Sequence, residues 1–177
     1  TIADLADGQY EDWFEIYNPG TNAVDLGGLW LGDSSNSRFQ VPTNGQYQIP
    51  AGGHLLVWAD NEPGQNSPTR DLHVNFQLGK AADSITLYAA DKSTIIDRVS
   101  FTNQIDDISH GRYPDGSLDI FTLAPVTPRT ANLIPGANSA PELAPIGTKT
   151  ATLGQTLSFT ITATDAQAGQ TLSFSIL

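Results

Sequence analysis

The apolar residues of this chain come in short runs between turn-forming residues. In "WFEIY" (13–17) they alternate, so Phe14 and Ile16 face one way and Trp13, Glu15 and Tyr17 the other. "NPGTNA" closes that run, and "VDL" (24–26), "LWL" (29–31), "RFQV" (38–41) and "YQI" (47–49) follow. "HLLVW" (54–58) is continuous and predicts a strand buried on both faces, with Trp58 in the core. A polar loop rich in Asn, Pro and Gly (60–71) precedes "HVNFQL" (73–78), "SITLYA" (84–89) and "TIIDRVSF" (94–101), the last two joined like a hairpin by "AADK". A strand about every ten residues, without a 3.6-residue period, predicts an all-β sandwich or barrel and no helix longer than a turn.

The pattern changes after Phe121. Residues 122–147, "TLAPVTPRTANLIPGANSAPELAPIG", are rich in proline and read as an extended linker. In "QTLSFTITATD" (155–165) alternation returns, with Leu157, Phe159, Ile161 and Ala163 on one face, and "QTLSFSIL" (170–177) begins another strand. About 35 residues are too few to close a sandwich of their own. The expectation is therefore the front of a second domain, whose amphipathic strands would pair with another surface or with a second copy of the chain.

Composition narrows the function. Nineteen acidic side chains against eight basic ones give a net charge of −11 over 177 residues. The basic residues are scattered, which excludes nucleic acid and disfavours anionic membranes. Cysteine is absent, so disulfides, thiolate metal sites and a cysteine nucleophile are excluded. No run approaches the ~18 apolar residues of a membrane span. Thr1 is an unusual native start and leads us to expect an export signal removed from a protein that works outside the cell or on its surface.

Several residues are candidates for chemistry. "ISHGRYPDGS" (108–117) places His110, Arg112 and Asp115 close together, which could be a general base with its orienter. No nucleophile or phosphate-cradling loop accompanies it. "YPDG" reads as a turn, with Pro114 supplying a fixed φ, Gly116 a positive one, and Arg112 covering carbonyls or an acid such as Asp107. Glu15 lies mid-strand among aromatics and is expected to accept backbone N–H groups and pin a neighbouring loop. His54, His73 and His110 lack zinc spacing and are expected on strand edges or loops. "DNE" (60–62), "IDD" (105–107) and "DGSLD" (115–119) could offer oxygens to calcium, but none matches an EF-hand loop. Trp13 and Tyr17 are candidate binding aromatics.

Six blocks carry a resemblance: "EDWFEIYNPGTNAVDLGGLWLGD" (11–33), "IPAGGHLLVWAD" (49–60), "LHVNFQLGKAADSITLYA" (72–89), "IDRVSF" (96–101), "ISHGRYPDGS" and "PVTPRTAN" (125–132). In order and spacing, residues 1–135 resemble the lamin tail domain, an immunoglobulin-like β-sandwich found in nuclear lamins and in bacterial exported proteins. The form is similar to the one beside spore-coat-protein-H-like modules. The resemblance implies that Glu15, Asn18, Gly111, Arg112, Asp115 and Gly116 are a structural signature. It also implies that the family's opening strand, reading like "INEFLASN", is missing and leaves a sheet edge open. Residues 136–147 would be a linker, and 148–177 resemble the first part of a cadherin-like or immunoglobulin-like repeat. Such repeats often carry three calcium-binding carboxylates where this sequence keeps only Asp165, so calcium there is expected to be weak or absent. The reading that follows is a non-catalytic structural or adhesive module without a cofactor. The alternative is a ligand-binding module for carbohydrate or calcium-dependent protein contacts. Chromatin binding does not carry over to so acidic a chain.

Overall fold

A computed structural model describes residues 2–67, 71–135, 141–165 and 173–174. The chain divides into two units, Thr1–Pro135 and Gly136–Leu177. In the first, β1 (Trp13–Tyr17) pairs antiparallel with β6 (His54–Trp58), and β6 pairs parallel with β7 (Leu72–His73). A second sheet runs β4 (Arg38–Gln40), β3 (Trp30–Gly32), β8 (Ala82–Tyr88), β9 (Ile95–Thr102), all antiparallel. β2 (Val24–Asp25) pairs with β5 (Gln48–Ile49), and β10 (Ser109–Arg112) with β11 (Ile120–Leu123). The longest helical segment described is a single 3-10 turn, η1 (Pro63–Gln65).

The alternation in the sequence becomes a core between the two main sheets. Phe14, Val57 and Leu72 come from one sheet and Leu31 from the other, with Val41, Tyr47, Ile49 and Phe76 from flanking segments. Ile85 and Leu87 pack against that cluster. Trp58 is 1% exposed, and its indole N–H donates to Asp71 at 3.1 Å. Three of the scattered cations cover the outer face of the second sheet. The Arg38 guanidinium lies 4.3 Å over the Tyr88 ring, the Lys92 ammonium lies 4.1 Å over Trp30, and Arg98 Nε donates to Thr86 at 2.8 Å. Their long stems leave Thr86 and Tyr88 buried although these point away from the core.

The structure corrects the pattern in four places. Of "HVNFQL" only His73 lies in a strand, β7, which begins one residue earlier at Leu72. Val74 still donates to Trp58 O, and beyond it a single bridge, Asp60 with Gln77, continues the contact. The "YPDG" turn sits inside a hairpin that the sequence pattern does not suggest, because Ser109–Arg112 ladders against Ile120–Leu123. The proline-rich stretch up to Pro135 is not a linker. Ala124 donates to Leu133 O within the first unit, and specific polar bonds hold Arg129 and Asn132.

In the second unit, alternation at 155–165 yields only a short ladder, β12 (Glu142–Leu143) with β13 (Ala163–Thr164). The described residues 155–162 form no strand. Lys149 lies 5.4 Å over the Phe159 ring there, while Leu157 and Phe159 stay nearly half exposed. Most of "QTLSFSIL" lies outside the described residues.

Candidate functional site

The aromatic–acidic face of β1 organises a polar cluster. Glu15 accepts the backbone N–H of Arg129, 114 positions later in the chain. Burial pushes the Glu15 carboxyl above its ordinary value, partly offset by that N–H and by His54. His54 Nε2 stands 3.4 Å from Asp115 Oδ2, and its ring packs on Tyr17 with centroids 4.9 Å apart. Both Asp115 oxygens accept the backbone N–H of Asn132 at 3.2 Å, and Asn132 Nδ2 donates to Arg112 O at 3.1 Å. The Arg129 guanidinium reaches Asp71, which also holds Trp58. Residues 129–132 are therefore fastened at both ends, by Glu15 and Asp71 on one side and Asp115 on the other.

"ISHGRYPDGS" supplies half of that clasp. Ser117 donates to Pro114 O, so Pro114 opens the turn, Asp115 follows, and Gly116 takes the positive φ of +79°. The sequence reading had put Pro114 one position further into the turn. A Cβ on Gly116 would stand 3.3 Å from the Tyr17 ring. A Cβ on Gly111 would stand 2.7 Å from Leu123 Cδ1, so this glycine is required by close packing in the hairpin. Arg112 does cover an acid, but that acid is Asp97 and not a neighbour in sequence. It forms a bidentate pair with Asp97 of β9, at 2.6 and 2.8 Å. The Arg112 hydrogen bonds hold the Asp97 carboxyl below its usual range. His110 is exposed, and Gln104 Oε1 lies 3.1 Å from its Nδ1.

Asn18 joins three segments. Its Nδ2 points at the carbonyls of Asn22, Ile49 and Pro50 at 2.8–3.0 Å, and its Oδ1 accepts the Gly20 N–H at 2.9 Å. It is 5% exposed. Trp13 and Tyr17 are half-buried and line a cleft of about 1360 Å³, together with Glu15, Asp97 and Leu123. Trp30 lies beneath Lys92, so the three tryptophans do not form one platform.

A second polar cluster escaped the sequence reading. His73 does lie on an edge strand, β7, but it is fully buried there, its Nδ1 2.5 Å from Asp60 Oδ2 and 3.7 Å from Asp4 Oδ2. Asp4, Asp60 and His73 bring ligand-type atoms within 4.8 Å of one another, as do Asp4, Asp7 and Glu11, and again Glu11, Asp60 and Glu62. The "DNE" motif was visible; its partners were not. A hint lay in the acids at 4, 7 and 11, which a tight turn gathers: Gly8 donates to Asp4 O and Asp4 to Gln9 O, both at 2.8 Å. His54 and His110 join no such group among the described residues. Asp165 joins none either, and 166–170, the rest of its predicted calcium loop, lie outside the described residues.

No described helix is long and apolar enough to cross a membrane. Among known families, the model of the Lamin Tail Domain matches residues 2–103. No curated protein matches the chain. The matched stretch ends just past β9, so the β10–β11 hairpin and the clasped segment lie beyond it, within the same compact unit.

Proposed function

The chain belongs to the lamin tail domain family, and from that membership we propose that it is a non-catalytic spacer or adhesive module of a larger exported protein of bacterial type. The lamin tail domain is a non-enzymatic, immunoglobulin-like fold, consistent with structural or protein-interaction roles. One observation carries the reading to this chain. The polar residues that could suggest chemistry are engaged in holding the chain together. Glu15 and Asp115 accept backbone N–H groups, Asn18 bridges three segments, and Arg112 is paired with Asp97. A catalytic constellation needs a nucleophile, a base and an acceptor site facing one point in space. No described Ser or Thr hydroxyl bonds to His54, His73 or His110. The acidic surface suits an exported protein, and residues 148–177 fit the opening of a cadherin-like repeat.

Two experiments test this. Antibody labelling and protease shaving of intact cells making the parent protein should reach this module; full protection would refute export. Purified protein should leave polysaccharides and phosphoesters intact. Turnover that vanishes in His110→Ala would refute the non-catalytic reading. A ligand-binding role is the second reading, supported by the cleft lined by Trp13 and Tyr17. Carbohydrate binding lost in Trp13→Ala would establish it over the spacer role.

A further inference from the structure

The loop before β1 and the loop after β6 converge on five carboxylates: Asp4, Asp7 and Glu11 from the first, Asp60 and Glu62 from the second. Surface acids are ordinarily solvated, but these are not all at the surface. Asp4 is 2% exposed and Asp60 4%. Asp4 Oδ1 accepts the Ala6 N–H at 2.9 Å, whereas its buried Oδ2 receives no hydrogen bond and points at the cluster, with His73 Nδ1 3.7 Å away. Glu11 Oε2 and the side-chain amide oxygen Oε1 of Gln65 are likewise buried without a donor. An unpaired buried carboxylate oxygen is costly, and here two, Asp4 Oδ2 and Glu11 Oε2, belong to one cluster. Burial, then repulsion from Asp60, Asp7, Glu62 and Asp4, pushes the Glu11 carboxyl above its ordinary value.

We propose that Asp4, Asp7, Glu11, Asp60 and Glu62 form a calcium site that ties the loop before β1 to the loop after β6. The donors are hard oxygens, which suit calcium, and an irregular set of carboxylates fits its flexible coordination by six to eight ligands better than magnesium's strict octahedron. Zinc is disfavoured. Cysteine is absent, and the one histidine has its Nδ1 engaged with Asp60. His73 is a positioning residue that orients Asp60, whose Oδ1 also accepts the Glu62 N–H at 2.9 Å. Gln65 Nε2 donates to Asp7 at 3.2 Å and also to Glu62, which holds these two carboxylates side by side. An ion here would cross-link residues about 50 positions apart and so brace the entry to the sandwich.

The test uses the whole chain, stripped with a chelator. Calorimetric titration with calcium should show one site, and terbium luminescence sensitised through Tyr10, next to Glu11, should be quenched by calcium. Melting temperature should rise by roughly 5 °C once calcium exceeds its dissociation constant about 100-fold. Asp4→Asn keeps the acceptor for Ala6 N–H and should abolish these responses. Glu11→Gln, at a partly exposed position that tolerates the change even if Asp4→Asn unfolds, should weaken calcium at least about tenfold, since ligand charge sets affinity. Asp165→Ala should change nothing. The proposal fails if no heat, luminescence or thermal shift appears up to about 10 mM calcium, tenfold beyond the weakest extracellular modules. It also fails if binding persists unchanged in Glu11→Gln, which would place the ion elsewhere.

Discussion

Replacing Asn18 by aspartate exchanges an amide group for an oxygen and reverses its role. The Nδ2 that points at the Asn22, Ile49 and Pro50 carbonyls becomes a carboxylate oxygen about 3 Å from three acceptors. Asn18→Ala provides the reference. It loses the three amide contacts, which share two hydrogens, and leaves the Gly20 N–H without its acceptor. At about 1 kcal/mol net per bond, Asn18→Ala should cost about 2–4 kcal/mol. Asn18→Asp keeps the Gly20 bond but adds a charge facing acceptors at a site only 5% exposed. It should be worse than alanine by about 1–2 kcal/mol at neutral pH. The sign of the pH dependence follows. The carboxyl would be held above its unfolded value of about 3.9, so the folded state binds its proton more tightly. The excess penalty is full above the folded pKa and disappears as pH falls below the unfolded one. A protonated carboxyl can donate to one of the three carbonyls. Urea unfolding of both variants, followed by tryptophan fluorescence at pH 7 and near pH 4, reads this directly, because titrations common to both cancel in the difference. The reasoning is refuted if Asn18→Asp is as stable as Asn18→Ala at pH 7, or if their gap does not narrow on acidification.

Glu15→Ala should destabilise by about 1–2 kcal/mol, because the lost charge-assisted bond to Arg129 N–H is offset by relief of carboxylate burial and by water reaching the exposed Arg129; Glu15→Gln should cost less, and equal urea midpoints for all three proteins would contradict the pin. Proteolysis within 124–135 should speed up in the alanine variant, as that segment loses one fastening. Asp97 has a depressed pKa, so its pairing with Arg112 stabilises above about pH 4 and the benefit is lost as pH falls through the folded value. With Asp97 48% exposed the effect should be small and should shrink in high salt; Asp97→Asn should remove it, and an unchanged acid limb of the stability profile in that variant would contradict the assignment.

Side-chain period and turn chemistry alone determined the all-β class and most strand positions. Alternation in "WFEIY" and the continuous run "HLLVW" follow from which faces must be buried, and those residues do form β1 and the strand beside it. The β10–β11 hairpin was hidden because "SHGR" and "IFTL" lack a strong apolar alternation. Their pairing depends on a close approach that Gly111 permits, since a Cβ there would meet Leu123 and Asn132. Proline richness likewise suggested a linker up to 147, yet Glu15, Asp71 and Asp115 hold 129–132 in place. Composition registers the fixed φ of proline but not a hydrogen-bond partner such as Glu15, 114 positions away. The reverse error occurred at 155–162, where alternation is present but the described residues form no strand. The acidic cluster shows the same limit most clearly. Asp4, Asp7 and Glu11 lie some 50 residues from Asp60 and Glu62, and each group alone reads as an ordinary polar loop. Only the pairing of β6 with β7, which seats His73 beside Asp60, and the turn that brings Asp4 inward gather them into one cluster with Asp4 and Asp60 at its buried end.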